Sequence, residues 1–308
     1  METVKAAAEP VLDVKNLRVT YHGDSRDVQA VRDVSFRIGA GEVFGLAGES
    51  GCGKSTVANA VMRLLKPPTE IQAEALRFQG RDLLALNGRE LREFRWREIA
   101  MVFQSAMNSL NPVMTIGDQI VDIFTTHERM KKRAALERAA ELLSLVSLPA
   151  DRLKAYPHQL SGGMRQRVVI AMAVALRPGL LIMDEPTTAL DVVVQQEIMA
   201  QIKDLQREFG FSVLFITHDM SLMVELSDRI GVMYAGRLVE VANAKELFAG
   251  PLHPYSEALM NAFPPLSGPR TELTALDDEA RAVWAADIPD LREAAPGRWV
   301  AATEGASR

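Results

Sequence analysis

The chain has 308 residues, a length typical of about two domains of roughly 150 residues each. Apolar residues make up 48% of it and charged residues 24%, which excludes a disordered chain, and a single cysteine excludes an internal disulfide and favours the reducing cytosol. A net charge of −5 argues against a broad basic surface for nucleic acid. The longest apolar run, residues 168–176, is too short to span a bilayer, so work at a membrane would require partner subunits.

Short strands are predicted for the N-terminal part of the chain, where glycines separate apolar runs. These strands cover residues 11–14, 17–21, 34–38 and 43–47. A helix pattern follows at residues 55–65 and stops before Pro67 and Pro68, because proline cannot continue a helix. The pattern therefore predicts a β-rich start with a helix after the fourth strand.

Residues 106–176 are predicted to be mostly helical. The clearest helix in this region has one face formed by Leu136, Ala140, Leu143 and Ser147. Further along, apolar strands at residues 180–183 and 212–215 flank an amphipathic helix that ends at Gly210. Two strands joined by a crossover helix are typical of a parallel sheet, so the predicted fold class is α/β.

The segment after the fourth strand has the spacing of a phosphate-binding loop: glycine, four residues, then Gly-Lys-Ser. Glycines let the backbone turn successive N–H groups toward phosphates, and the following helix adds its positive end. Lys54 can reach the outer phosphates and the Ser55 hydroxyl can ligate Mg²⁺. The predicted nucleotide-binding residues are Gly48, Glu49, Ser50, Gly51, Cys52, Gly53, Lys54, Ser55 and Thr56.

A strand that ends in two carboxylates narrows the class of phosphate-loop protein. Asp184 and Glu185 follow the apolar residues 180–183. Asp184 can orient Mg²⁺ or its water, and Glu185 can accept a proton from the water that attacks the γ-phosphate. An ordinary exposed acid at a strand end is the alternative for Glu185. Its place beside an aspartate on a buried strand favours the catalytic interpretation.

A third motif predicts a second anion-binding helix start. Ser161, Gly162, Gly163 and Met164 precede a predicted helix at residues 165–176, where exposed N–H groups attract anions. A simple capping turn is the alternative. Because the chain already has one phosphate loop, this second site is expected to serve the nucleotide of another molecule.

These motifs resemble the ATP-binding subunit of an ABC transporter over residues 11–265. Met164 departs from the family signature, which more often has Gln there. The run after it, together with residues 102–104, 109–112 and 251–255, resembles the branch that imports dipeptides, oligopeptides and related solutes. The resemblance implies a P-loop NTPase fold of ABC type, with a mixed sheet core, an N-terminal antiparallel β part and an inserted α-helical subdomain.

The resemblance also assigns roles to four residues outside these motifs. Tyr21 is expected to stack on adenine, and Gln104 to contact Mg²⁺ or the attacking water. Asp191 is expected to lie across a dimer interface, and His218 to contact the γ-phosphate. The structural alternatives are a strand-end aromatic, a solvated loop residue, a helix cap and a packed loop histidine, in that order.

The function that the resemblance implies is ATP hydrolysis that powers solute import, with peptides as the favoured cargo and ATP and Mg²⁺ as cofactors. The implied partners are two transmembrane permease subunits, a second ATP-binding subunit (a copy or a paralogue) and, through the permeases, an extracytoplasmic solute-binding protein. The chain is expected at the cytoplasmic face of the membrane as a peripheral subunit, and nucleic acid is not an expected partner.

Other functions remain open from the sequence. A soluble ABC-type ATPase of DNA repair or translation would be expected to carry a second cassette, a coiled coil, zinc-ligand cysteines or a basic surface, and the sequence has none of these signals. Nickel complexes and oligosaccharides are the alternative solutes within the branch, in which peptides are favoured. A subunit that has lost hydrolysis is disfavoured because Glu185 and His218 are both present.

The expected domain organisation is an ATP-binding domain at residues 1–270, with the helical subdomain at about 106–176, and a loosely packed tail at residues 271–308. The tail is rich in alanine and acidic residues, and Trp284 and Trp299 are its large apolar anchors. Its removal is expected to leave the thermal transition nearly unchanged. A short helix around Trp284 that docks on the core is the alternative.

Overall fold

The structure is a computed structural model that describes residues 9–23, 25–104, 109–187, 190–261 and 288–301. In these residues the strands are β1 (Leu12–Tyr21), β2 (Val28–Ile38), β3 (Val43–Ala47), β4 (Thr69–Gln72), β5 (Ala75–Phe78), β6 (Arg81–Asp82), β7 (Ile99–Val102), β8 (Leu180–Asp184), β9 (Ser212–Ile216), β10 (Arg229–Tyr234), β11 (Arg237–Asn243), β12 (Arg292–Ala295) and β13 (Arg298–Val300). The helices are α1 (Lys54–Val61), α2 (Gly88–Phe94), α3 (Ile116–Glu128), α4 (Lys132–Leu145), α5 (Gly162–Val174), α6 (Val192–Phe209), α7 (Met220–Leu226), α8 (Ala244–Ala249) and α9 (Pro254–Asn261).

The chain divides into two compact units. The first comprises Met1–Ala85 and Leu214–Arg308, and the second comprises Leu86–Val213. The second unit contains the described part of the predicted helical region at 106–176, including α3, α4 and α5. Throughout the described residues, each helix is too short or too polar to cross a bilayer.

An antiparallel sheet forms the N-terminal part of the first unit. Strand β1 pairs antiparallel with β2, β4 and β5. The two short strands predicted at residues 11–14 and 17–21 form one continuous strand, β1. Its pairing register with β2 shifts between Val14 and Leu17, but the strand continues across the shift. Asn16, in the left-handed region at φ 50°, marks this irregularity. The predicted antiparallel part of the fold is confirmed.

The first unit also contains the sheet that leads into the phosphate loop. Strand β10 pairs parallel with β3 and antiparallel with β11. The β3 side chains Phe44 and Leu46 are fully buried, and the Phe44 ring stacks on Phe36 of β2 with 4.9 Å between the ring centroids. Because β3 is paired with β10 and buries Phe44 and Leu46, the loop after it starts from a well-packed strand.

In the second unit, β7 and β8 form a parallel pair and α4 packs beside α3 and α5. The predicted apolar face of α4 is partly wrong, since Leu136 and Ser147 are exposed. The buried face is rotated and consists of Ala135, Ala139, Leu142 and Leu143. The small alanines let α4 approach the neighbouring helices closely. Contact with those helices therefore decides which face is buried, and a face with larger apolar side chains can remain exposed.

The tail includes a β-hairpin joined to the first unit. Strand β13 pairs antiparallel with β11 and with β12, and Ile288, Val300 and Ala301 are buried. Trp299 is 39% exposed, so it is not the buried anchor that the sequence suggested. The expectation of a loosely packed tail is therefore corrected for residues 288–301, where backbone pairing holds the chain. Trp284 lies outside the described residues.

A buried ion pair fastens this hairpin. Glu240 of β11 is 0% exposed, and its Oε1 accepts a hydrogen bond from Arg298 Nη2 at 2.8 Å. The backbone N–H groups of Leu252 and His253 also donate to the Glu240 carboxylate, at 3.0 Å each to Oε1 and Oε2. A buried carboxylate is tolerated only when it is paired and hydrogen-bonded, so Arg298 stabilises the C-terminal half of the first unit.

Replacing Arg298 by methionine is therefore expected to lower the thermal midpoint by roughly 5 °C or more, because removing one partner of a buried pair costs about 3–5 kcal/mol. Differential scanning calorimetry of the full chain measures this change. The matched control is Arg292→Met on the exposed face of the same hairpin, which is expected to shift the midpoint by about 1 °C. Equal shifts for the two variants would contradict the role given to Arg298.

Candidate active site

The phosphate loop lies between β3 and α1, as predicted. Gly48, Gly51 and Gly53 all have positive φ angles, of 146°, 81° and 110°. Only glycine adopts such angles without strain. At Gly53 a side chain is also excluded by space, since a Cβ there would lie 2.4 Å from the carbonyl oxygen of Ala30. The loop is thus a preformed backbone turn that leads into the N-terminus of α1.

Lys54 is held inside this loop. Its side chain is 6% exposed, and Nζ donates hydrogen bonds of 2.7 Å to the carbonyl oxygens of Gly48 and Glu49. Cys52 Sγ lies 3.5 Å from the same ammonium. Burial raises the pKa of the Cys52 thiol, so the thiol is neutral at pH 7 and leaves the Lys54 charge uncompensated by thiolate. The loop therefore contains a fixed positive charge.

Two further predicted residues belong to the first unit. The hydroxyl of Tyr21, at the end of β1, lies 3.3 Å from Thr56 Oγ1 in α1, so the predicted adenine-stacking ring neighbours the predicted phosphate residues. His218 follows β9 and has an exposed side chain. The packed-histidine alternative for His218 does not agree with this exposure.

In the second unit the structure brings two predicted catalytic residues into contact. Gln104 Nε2 donates a hydrogen bond of 2.7 Å to Glu185 Oε2. They meet because β7 and β8 are parallel neighbours with Val102 opposite Met183, so the segments after both strands leave the same edge. Glu185 itself has a positive φ of 48°, a conformation that non-glycine residues adopt at a cost and that concentrates at functional sites. Asp184, one residue earlier, is buried.

The third motif caps α5. Ser161 is the N-cap residue, and its hydroxyl accepts a hydrogen bond from the Met164 N–H at 3.3 Å. Arg165 fixes the preceding turn, since Nε donates to the carbonyl oxygens of Pro157 and Leu160. Gly162, Gly163 and Met164 form the first turn of α5. In any α-helix, the N–H groups of the first turn have no carbonyl acceptor within the helix. Capping and anion binding are compatible here, because capping uses the Met164 N–H and an anion can accept from the N–H groups of Gly162 and Gly163.

Asp191 likewise caps α6, with Oδ1 accepting from the Val194 N–H at 3.0 Å. Two apolar side chains that follow it, Val192 and Val193, are exposed. Thr188 and Ala189 lie outside the described residues.

Oxygen donors are available for Mg²⁺. The Ser55 hydroxyl, the Asp184 carboxylate and the Gln104 side-chain amide are of the type that Mg²⁺ prefers. Among the described residues, no cluster of three or more His, Cys, Asp or Glu could hold a metal on its own. Few carboxylates together with substrate phosphates are the usual environment of Mg²⁺, so the donor type of each of these residues suits the ion.

Comparison with known proteins identifies the family to which the chain belongs. Residues 31–188 match the ABC transporter family model, and residues 239–287 match the model for the oligopeptide/dipeptide transporter C-terminal region. The second match extends past the range over which the sequence motifs resembled the family. The chain belongs to the ABC transporter family of ATP-binding proteins, and it is an ATPase with the expected P-loop fold.

Individual relatives cover most of the chain. The dipeptide transport ATP-binding protein DppD of Bacillus subtilis is 44% identical over 94% of this chain and 85% of the relative. The oligopeptide transport ATP-binding protein OppD of Escherichia coli is 48% identical over 84% of this chain and 77% of the relative. A solved dimeric ATP-binding cassette, MJ0796 bound to ADP and Pi, matches with a TM-score of 0.68 and 31% identity over 76% of this chain and 98% of that one.

The sequence assigned no role to three residues that support the site. Gln195 Nε2 donates to the carbonyl oxygens of Thr187 and Leu190, which ties these two residues to α6. Glu240 anchors the C-terminal turn, and Tyr255 contacts the phosphate loop, as described below. Glu240 and Tyr255 did leave a signal. An acidic residue interrupts an otherwise apolar strand at residues 238–242, and Tyr255 ends the run at residues 251–255 that resembles the peptide-importing branch.

Proposed function

We propose that this chain is the ATP-hydrolysing subunit of a peptide importer. The observation that carries the proposal is the match of residues 239–287 to the C-terminal region of oligopeptide/dipeptide transporters, in addition to the ABC transporter match. The named relatives, which transport dipeptides and oligopeptides, support the same cargo class. These matches favour peptide import over DNA repair, translation and other solutes.

Binding of ATP would use the first unit. Backbone N–H groups of the phosphate loop and the Lys54 ammonium would hold the phosphates, and Tyr21 would stack on adenine. His218 would contact the γ-phosphate. The fixed loop and the buried ammonium described above support this assignment, since they present positive potential without reorganisation.

Hydrolysis would use Glu185 as the general base. The carboxylate would accept a proton from the attacking water. Gln104, which donates a hydrogen bond to that carboxylate, would orient the carboxylate and the water. Ser55, Asp184 and Gln104 would hold Mg²⁺. When bound, the ion supplies positive charge that offsets the charge of the phosphates.

A second ATP-binding subunit would complete each site. Residues Ser161, Gly162, Gly163, Met164 and Asp191 would contact the nucleotide of that partner, either a copy of this chain or a paralogue. Cysteines placed in the phosphate loop and at Ser161, in a Cys52→Ser, Glu185→Gln chain with ATP, test this arrangement. A crosslink between chains is expected, and its absence would refute the shared site.

The subunit would work at the cytoplasmic face of the membrane, below two permease subunits that receive peptides from an extracytoplasmic binding protein. Purification of the tagged chain from membranes, followed by mass spectrometry, tests these partners. Two hydrophobic integral subunits and a bound peptide are the expected result. Recovery with nucleic acid or ribosomes in place of integral subunits would overturn the proposal.

A further inference from the structure

The C-terminal turn at residues 251–255 reaches the phosphate loop. The backbone N–H of Glu49, the second residue of the loop, donates a hydrogen bond of 3.0 Å to the hydroxyl oxygen of Tyr255. These residues are 206 positions apart in the sequence. We propose that Tyr255 is a positioning residue that holds the phosphate loop in its nucleotide-binding shape. This inference rests on the proposed role of the loop in binding ATP phosphates.

The contact fixes Glu49 from both sides. Its N–H is bound by Tyr255, and its carbonyl oxygen accepts from Lys54 Nζ at 2.7 Å. The peptide units around Glu49 therefore cannot rotate without breaking one of these bonds. Because the loop depends on peptide orientation to present its N–H groups, a fixed first turn presets the remainder of the loop.

The Tyr255 ring is itself held rigidly. It is 0% exposed, and its centroid lies 4.4 Å from that of the Tyr234 ring in β10. Burial raises the pKa of the Tyr255 hydroxyl, so the group stays protonated and neutral near pH 7. The hydroxyl thus acts as a permanent, fixed acceptor for the Glu49 N–H.

The neighbouring residues of the turn explain how Tyr255 is placed. His253 Nδ1 accepts a hydrogen bond of 3.1 Å from the Tyr255 N–H, and burial lowers the pKa of His253, which keeps that nitrogen available as an acceptor. Pro254 occupies the first position of α9, where a missing N–H costs no helical bond. The Glu240 carboxylate binds the N–H groups of Leu252 and His253. Each residue of the His-Pro-Tyr run therefore contributes to one anchoring device.

Tyr255→Phe in the full chain tests the inference, because it removes the hydroxyl and keeps the ring. ATP affinity, measured by fluorescence titration, is expected to fall about 3- to 10-fold, the usual effect of losing one hydrogen bond. Hydrogen exchange in a peptide that covers residues 48–56 is expected to become faster. The control Leu259→Ala perturbs the same helix one turn further on; it is expected to lower the melting temperature without altering either readout.

Two results would overturn this inference and leave the proposed function intact. The first is a Tyr255→Phe variant with the ATP affinity and hydrogen exchange of the wild type. The second is an equal loss of ATP affinity in Tyr255→Phe and Leu259→Ala, which would indicate a merely structural role. Lys54→Ala, titrated in parallel, separates this failure from that of the proposed site. Unchanged ATP affinity in Lys54→Ala would overturn both the loop assignment and the role of Tyr255.

Discussion

Replacing Glu185 by glutamine is expected to lower the rate of ATP hydrolysis by about 10²- to 10⁴-fold while ATP still binds. Glutamine has the same shape as glutamate but cannot accept the proton of the attacking water. Its carbonyl oxygen can still accept the hydrogen bond from Gln104 Nε2, which is 2.7 Å in the structure, so the local geometry is retained. Phosphate release and ATP titration of the same preparation measure the two effects separately.

Glu208→Gln provides the matched control for this variant. Glu208 is exposed near the end of α6, and its replacement makes the same chemical change away from the site. Hydrolysis by the control is expected to equal that of the wild type. Near-normal hydrolysis by Glu185→Gln would show that another group takes the proton, and the assignment of Glu185 would be withdrawn.

Replacing Lys54 by alanine is expected to weaken ATP affinity by about 10- to 100-fold, because a charged hydrogen bond to phosphate contributes about 1.5–3 kcal/mol. The variant also loses the two hydrogen bonds from Nζ to the loop carbonyl oxygens, so the loop becomes less ordered. Fluorescence titration with ATP and with adenosine measures the change, and adenosine affinity is expected to change much less.

Lys245→Ala is the control for the lost charge. Lys245 is exposed on α8 of the same unit, and its removal changes the net charge by the same amount. Its ATP affinity is expected to remain within about twofold of wild type, because exposed charges are screened by salt. An equal loss in both lysine variants would indicate a general electrostatic effect and contradict the specific role of Lys54.

Local sequence signals predicted much of the fold and of the site. The strand at Val43–Ala47 has the predicted ends, and α6 stops where Gly210 adopts φ 72°. The turn between β3 and α1 and the strand that ends at Asp184 also lie where the sequence predicts them. Each of these features is decided within a few residues, by apolar runs, glycines and turns, so neighbouring residues in the sequence contain the information.

Features set by distant contacts were not predictable in the same way. The buried face of α4 depends on the helices beside it, and the hairpin at residues 292–300 depends on the available edge of β11. The contact between Glu49 and Tyr255 joins the two segments of the chain that make up the first unit. The His-Pro-Tyr run was noticed as a motif, but only the folded chain indicates what it touches.

ATP hydrolysis by this chain is proposed to drive peptide import. The most direct measurement is uptake of a labelled dipeptide by liposomes that contain the complex purified through this chain, with its binding protein present. Uptake is expected to require ATP and to stop in the Glu185→Gln complex. Uptake that continues at the wild-type rate in that variant would show that hydrolysis at Glu185 does not drive import. Absence of uptake in a wild-type complex that hydrolyses ATP would show that peptides are not the cargo.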